Sequence, residues 1–462
     1  MGLRGYLALW VAKAVTAACR TLGRGGSTLP GRVALLLDPR ILSKLAARVR
    51  LGNLVVTGTN GKTTTSRMIG AVARKAGLRV VSNRSGANLI YGVASSYIQA
   101  SDLLGRPDAD VGIIEVDEAT VPTATRELNA HGAVATNFFR DQLDRFGELL
   151  STVLLVKKGF LAMPPGSFAV LNCDDPLVSN LGRDYAGPIL YYGVEDRSLF
   201  ASGRAQTADI TNCLDCGAAL EYDGVFYAHL GLYRCSACGL SRRTPDVALL
   251  SYTSRPPGSR LVVGTPRGEL RIDLPVPGAY NAYNALAAIS CCLGMGLSPE
   301  DIVAGLESYG GSFGRMESLR VGDRTVLIAL VKNPAGFNEV IRTVIEGPEA
   351  KNLVICINDN YADGTDVSWL WDVDFERLAA PGLVEWVIAS GLRAEDMALR
   401  LKYAGLDPVL VTIENDLRKA LELGLSRLPP GGTLYVLPTY TAMLGIRRVI
   451  HDMGYARMFW ED

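Results

Sequence analysis

Residues 53–77, NLVVTGTNGKTTTSRMIGAVARKAG, limit the fold more than any other stretch of this chain. NLVVTG is a short apolar strand, and KTTTSRMIGAVARKAG is a helix that Gly77 can close. Between them TGTNGKTTT follows a strand and opens a helix, the setting in which a glycine loop cradles phosphate. Gly58 and Gly61 let the backbone curl. The N–H groups of Gly58, Thr59, Asn60, Gly61, Lys62, Thr63 and Thr64 can then face phosphate oxygens. Lys62 can reach the β- and γ-phosphates of ATP, and the Thr63 hydroxyl can ligate Mg²⁺. Glu115 ends the apolar run 111–114 and is expected at the same carboxyl edge, suited to Mg²⁺ or a metal-bound water. Its neighbours Asp117 and Glu118 read as a solvated strand end.

Beyond the loop, strand and helix signals alternate: LRVVSN, ADVGIIEVDE, GAVATN and SFAVLNCDD are strands, the last ending in Asp174 and Asp175. That alternation predicts a parallel, doubly wound sheet with functional residues at the carboxyl ends of its strands. The pattern breaks at about 205–245, then passes through a β-rich stretch to the helix NAYNALAAISCCLGMG. The Gly-rich joint SYGGSFGRME marks a boundary near 312, and TVLIAL, NLVICIND, WVIAS, PVLVT and TLYVLP supply five strands of a second, smaller unit. The expected class is α/β. A P-loop-type doubly wound central ATPase domain occupies 51–312, with a zinc-ribbon insertion. A helical segment (1–50) precedes it, and a Rossmann-like α/β C-terminal domain (313–462) follows.

Lys plus Arg and Asp plus Glu number 47 each, which argues against a general nucleic-acid coat. Nine cysteines, five of them scattered, form no disulfide framework and predict a reducing cytosol. At the N-terminus Lys13 interrupts an apolar run too short to span a bilayer. Leu3, Tyr6, Leu7, Trp10, Val11, Ala14 and Ala18 recur at helical spacing. This stripe either packs on the protein's own core, the expected arrangement, or lies on a membrane surface.

Cys213-x-x-Cys216 and Cys235-x-x-Cys238, 18 residues apart, form a four-thiolate zinc pattern. Tyr222, Phe226, Tyr227 and Tyr233 between them suggest a small hairpin ribbon. Four thiolates leave no open coordination position, so such a site is structural. A redox dithiol pair is the alternative. A zinc-ribbon nucleic-acid-binding ATPase is the rival class, but Arg242-Arg243 is the ribbon's only basic cluster.

The spelling T-G-T-N-G-K-T-T is narrower than a general phosphate loop and resembles the Mur ligase family, which includes folylpolyglutamate synthases. Members use ATP to turn a carboxylate into an acyl phosphate that an amine then attacks. ATNFFRDQLDRFGEL resembles a further family segment, placing Asn137, Asp141 and Asp144; LNCDDP resembles its L-N-x-D-D-P turn. PGAYNAYNALAA resembles a helix start where an Asn lies against adenine, matched by Asn281 and Asn284. Arg315 in GRME matches an arginine that reaches the nucleotide phosphates. Gln142 stands where the family commonly has a metal-ligating His, and Ala329 where a ribose-binding Asp is usual. Lys157 lies near a lysine that many members carbamylate, or is a solvated helix lysine.

Only about 50 residues precede the loop, where ordinary members have a domain that grips UDP. That difference, the four-Cys insertion and NDNYADGTDVSWLWD together resemble one branch of the family. The resemblance implies a heterodimer with a GatD-like class I glutaminase subunit. It implies a carbon–nitrogen ligase with glutamine as amido donor, which amidates the D-glutamate α-carboxylate of the lipid II stem peptide to D-isoglutamine. The cysteine usage places the enzyme in the cytoplasm, and the N-terminal helix leaves peripheral contact at the inner membrane face as the alternative to core packing. None of the cysteines sits in a G-x-C-x-G elbow, so this chain is expected to take ammonia from a partner. From the residues alone, Asp363 reads as a turn residue with an Asx cap; the resemblance makes it the acid of the amidation site, beside Lys62 and Glu115 as catalytic groups. Trp369 and Trp371 are expected on one side of an extended segment. The runner-up is a stand-alone amino-acid ligase of the folylpolyglutamate synthase type.

Overall fold

The structure, a computed structural model, describes residues 1–21, 26–83, 87–140, 149–200, 210–255, 258–311, 314–346 and 349–456. In chain order the strands are β1 (Asn53–Thr57), β2 (Val80–Ser82), β3 (Val111–Glu115), β4 (Gly132–Ala135), β5 (Phe168–Asn172), β6 (Ile189–Val194), β7 (Glu221–Tyr227), β8 (Leu230–Arg234) and β9 (Val247–Arg255). They continue with β10 (Gly258–Thr265), β11 (Gly268–Leu274), β12 (Arg315–Val321), β13 (Arg324–Ala329), β14 (Lys351–Cys356), β15 (Val384–Ser390), β16 (Val411–Ile413) and β17 (Thr433–Pro438).

Nine strands form one sheet in the order β11-β10-β9-β6-β5-β4-β1-β3-β2. From β2 to β9 every pairing is parallel, whereas β9, β10 and β11 run antiparallel. The sheet is therefore mixed rather than parallel throughout. Alternation along β1 divides the interior in two. Leu54 and Val56 face a core shared with the helices Lys62–Lys75 and Ala279–Gly294. Val55 faces the other, which the N-terminal helices share. Helix Ala279–Gly294 is buried on nearly every side, and its run of Ala, Ser and Cys suits that position.

The second sheet has six strands, β12-β13-β17-β14-β15-β16. β12, which the sequence reading did not anticipate, pairs antiparallel with β13 at the edge; the rest are parallel. Strands β7 and β8 form a separate antiparallel hairpin.

Two further expectations are corrected. In the N-terminal helix Leu3–Thr21 the buried positions are Gly5, Ala8, Leu9, Ala12, Thr16 and Cys19. Leu3, Leu7 and Trp10 are exposed, so the apolar stripe read from the sequence is not the face that meets the core. Small residues on the other side allow close approach to the underlying helices. Trp369 and Trp371 lie in a 3₁₀ turn, Ser368–Asp372, not an extended segment. Trp369 packs 6.3 Å from Phe337, while Trp371 is exposed beside Tyr403.

Candidate active site

The loop after β1 sits where the chain order of the first sheet reverses, between β1 and β3, the usual position of a ligand crevice in open α/β sheets. Gly61 begins the helix at φ 86°, and a Cβ there would collide with Asn284 Oδ1; only glycine meets both conditions. The segment after β4 holds the loop from beneath. Thr59 N donates to Asn137 O (2.8 Å) and Asn60 N to Asn137 Oδ1 (2.9 Å); the Thr136 hydroxyl donates to Asn60 O (2.7 Å). Asn137 is thus a support of the loop. Asp141, Gln142 and Asp144 lie outside the described residues.

Thr63 donates its hydroxyl to Glu115 Oε2 at 2.8 Å, so the two groups expected to hold Mg²⁺ are adjacent oxygen donors, a fit to a hard cation. Asn83 brackets Glu115: its amide donates to Glu115 O (2.8 Å) and its Oδ1 accepts from Glu115 N (2.9 Å). Lys62 folds back onto Gly58 O and Thr59 O and stands 3.3 Å from both carboxylate oxygens of Glu118.

Glu118 is therefore no solvated strand end. It is buried, with its carboxyl raised above the usual range by burial against the opposing pull of Lys62; Lys332 acts on it in the same sense as Lys62. A short 3₁₀ turn, Glu118–Thr120, carries it inward. The acid-rich spelling E-V-D-E was the only signal.

Thr64 is buried in the helix's first turn. Asn284 accepts from the Thr65 hydroxyl (3.4 Å) and donates to Asn281 Oδ1 (3.2 Å), so both asparagines stand beside the loop. Arg315 opens β12, and its charge acts on Tyr280 of the helix that carries them. Asn60 and Asn333 exchange side-chain amide hydrogen bonds of 3.2 and 3.1 Å. This pair ties the phosphate loop to the segment after β13, where Asn333 also caps a helix.

Asp363 lies past the carboxyl end of β14, next to that of β17. Its carboxylate accepts from Thr441 N (2.7 Å) and the Thr441 hydroxyl (2.5 Å) in the first turn of helix Tyr440–Asp452. Burial nevertheless raises its pKa, opposed by these bonds. Thr439 and Thr441, unremarked in the sequence, hold this acid. Burial raises the Tyr440 hydroxyl pKa, and the charges of Asp363 and Glu115 raise it further. Lys157 is half-buried and ion-paired with Asp184 at 2.5 Å, so it is not simply a solvated helix lysine.

The four cysteines form a second assembly. Cys213–Cys238 and Cys216–Cys235 sulfurs are 3.5 Å apart, and all four lie within 4.8 Å of one another. A tetrahedron with Zn–S bonds of about 2.3 Å has edges of roughly 3.8 Å, so the donor set fits zinc. The knuckles match: Gly217 N donates to Cys213 O and Gly239 N to Cys235 O, both 3.0 Å, with φ of 75° and 80°. The hairpin docks on the acids that end β5. Gly231 N donates to Asp174 O, and His229 stands 3.4 Å from Asp175. Arg242 binds Asp174 Oδ1 at 2.6 Å, which takes it out of the surface basic cluster imagined for nucleic acid. Asp175 also accepts from Phe138 N (2.8 Å), next to the asparagine that supports the phosphate loop.

The Mur ligase middle domain family matches residues 56–221, and the MurT ligase C-terminal family matches 330–443, which includes Asp363 and Thr441. A Staphylococcus aureus protein, lipid II isoglutaminyl synthase (glutamine-hydrolyzing) subunit MurT, is 34% identical over 96% of both chains. The Streptococcus pneumoniae subunit of the same name is 34% identical over 99% of both.

This chain belongs to the MurT family of Mur ligases.

Its fold is shared with more distant members. Acinetobacter baumannii MurF superposes with a TM-score of 0.68 at 18% identity, covering 91% of this chain and 80% of that one. Mycobacterium tuberculosis folylpolyglutamate synthase gives 0.61 at 17%, covering 94% and 99%. MurT proteins are named as subunits, so members of the family work within a complex. No helix among the described residues is long and apolar enough to cross a membrane.

Proposed function

We propose that this chain is the ATP-using subunit of a lipid II isoglutaminyl synthase. It activates the D-glutamate α-carboxylate of the lipid II stem peptide as an acyl phosphate, then amidates it with ammonia from a GatD-like glutaminase partner in the cytoplasm. The observation that carries this reading is the hydrogen-bonded pair Asn60–Asn333, which holds the phosphate loop against the unit that carries Asp363. It links the phosphate-activating half of the site to the half assigned to amidation.

The loop N–H groups of residues 58–64 cradle the ATP phosphates, with Asn281 and Asn284 beside the nucleotide. Lys62 leaves Glu118 for the γ-phosphate, and Thr63 and Glu115 hold Mg²⁺, which when bound offsets phosphate charge. A carboxylate oxygen of D-glutamate attacks the γ-phosphorus, the bond to ADP breaks, and Arg315 stabilises the charge on the transferring group. Ammonia then attacks the acyl carbon, phosphate departs, and Asp363 orients the nitrogen and takes its proton. The four cysteines hold a structural Zn²⁺ in a ribbon inserted at about 205–245 of a central domain spanning 51–312. The helical segment 1–50 precedes that domain, and the C-terminal domain 313–462 follows it.

The test is an amidation assay on lipid II with ATP and glutamine, with and without a candidate glutaminase. Amide product that needs the partner with glutamine, but not with free ammonia, is expected. Addition of an amino acid in place of ammonia would establish the folylpolyglutamate synthase-type ligase instead. Asp363→Asn should keep ATP binding and lose amidation; full activity in that variant sinks the role given to Asp363.

A further inference from the structure

The first 50 residues carry nine Lys and Arg against one acid, Asp38, in a chain whose opposite charges balance overall at 47 each. Asp38 is itself buried and paired with Lys44 at 2.6 Å. Arg4, Arg20, Arg32, Arg40, Arg48 and Arg50 are all exposed. On the same layer lies an apolar surface. Leu3, Leu7 and Trp10 follow one another at three- and four-residue spacing, on one side of helix Leu3–Thr21.

Neighbouring segments extend that surface. The Trp10 indole donates to Leu103 O at 2.9 Å, setting Leu103 and Leu104 beside the helix. Arg4 donates to Leu37 O at 2.6 Å, bringing up Leu36. These six residues are between 50% and 87% exposed. Cations border them: Arg4 at one end, Lys13 bonded to Ser101 O, and Arg48 bonded to the Leu104 and Gly105 carbonyls. Asp102 is the acid within this border.

We propose that this N-terminal layer docks on an anionic lipid bilayer, with Leu3, Leu7, Trp10, Leu36, Leu103 and Leu104 entering the interface and the surrounding arginines meeting lipid phosphates. Leucine and tryptophan on one face with cations around it is the composition of an interfacial helix. Each cation near an anionic leaflet contributes about five-fold to partitioning. An uncharged protein groove would match the apolar residues but not the one-sided excess of positive charge. The proposal gives a use to a lipid-linked substrate, but it is read without substrate, so failure of the amidation reading leaves its measurement intact.

The full chain should co-float with phosphatidylglycerol vesicles in 0.1 M salt, release in 0.5 M salt, and ignore phosphatidylcholine vesicles. Leu3→Ser/Leu7→Ser/Trp10→Ser should weaken binding by about 100-fold, with an unchanged melting temperature and ATP binding. Arg20→Glu/Arg32→Glu, which leaves the Arg4, Trp10 and Arg48 contacts of the apolar face in place, should weaken it by at least about 10-fold. No flotation of the unaltered chain with phosphatidylglycerol, or equal flotation with both lipids, overturns the proposal. So does a serine variant that binds vesicles fully, or one whose only change is a dimer becoming a monomer, which would make the face a self-association surface.

Discussion

Replacing Arg242 with Met should destabilise the fold by about 3–5 kcal/mol, the usual cost of leaving one partner of a buried ion pair alone. Asp174 has no exposed side-chain surface, and Arg242 is about one-tenth exposed. The carboxylate accepts from Arg242 Nε (2.6 Å), the Tyr283 hydroxyl (2.6 Å) and Val194 N (2.9 Å). Arg242 also reaches Glu195 at 2.7 Å, but that partner is partly solvated and adds little. Methionine fills the volume, so the loss isolates the charge. In a unit of 150–250 residues each kcal/mol moves Tm by about 2–4 °C, so a fall on the order of 10 °C is expected by calorimetry.

The deficit should also depend on pH. Burial already raises the Asp174 pKa above its ordinary value, and Arg242 is the largest opposing influence. Without Arg242 the folded state binds the proton more tightly still. A folded pKa above the unfolded one means stability is lost as pH rises through it and recovered as pH falls. The gap between variant and parent should therefore narrow from pH 8 to pH 5. A Tm change under about 2 °C, or a gap independent of pH, would refute the claim that Asp174 is held as an anion by Arg242.

Three further outcomes follow from the site. Asn83→Ala removes both side-chain hydrogen bonds to the Glu115 backbone, and should weaken Mg²⁺ affinity in ATP use by about 10–100-fold in a metal titration, while ATP-free stability changes little. Metal analysis should find one zinc per chain, lost in Cys213→Ser/Cys238→Ser; a site worth on the order of 10 kcal/mol to its own module would leave that variant's hairpin protease-sensitive. Glutamine-driven amidation should fall as pH drops through the raised pKa of Asp363, so its acidic limb lies above the ordinary carboxylate range, and residual activity in Asp363→Asn should lack that limb.

Much of this molecule was legible in its residues. The phosphate loop could be read because strand, glycines, lysine and helix are consecutive, so local geometry alone brings Lys62, Thr63 and the backbone donors together. Glu115 followed from its position at a strand's end, and the cysteine cluster from two knuckles that each close within a few residues. Strands buried on both faces announced themselves as apolar runs; β12, an edge strand of alternating polarity, did not.

Other features depended on contacts between distant parts of the chain. Periodicity placed Leu3, Leu7 and Trp10 on one side of a helix but could not say whether that side meets protein or solvent. The small residues opposite, Ala8 and Ala12, won the core because they fit against neighbouring helices. Glu118 looked like a surface acid until a 3₁₀ turn folded it under Lys62. Tyr283 and Asp174 are 109 positions apart, and Asn60 and Asn333 are 273 apart. The sequence determined which groups this chain carries and the loop that meets phosphate. Only the packing of two sheets and a hairpin decided which charges are buried together, because burial and partner are set by surfaces that no short stretch of chain contains.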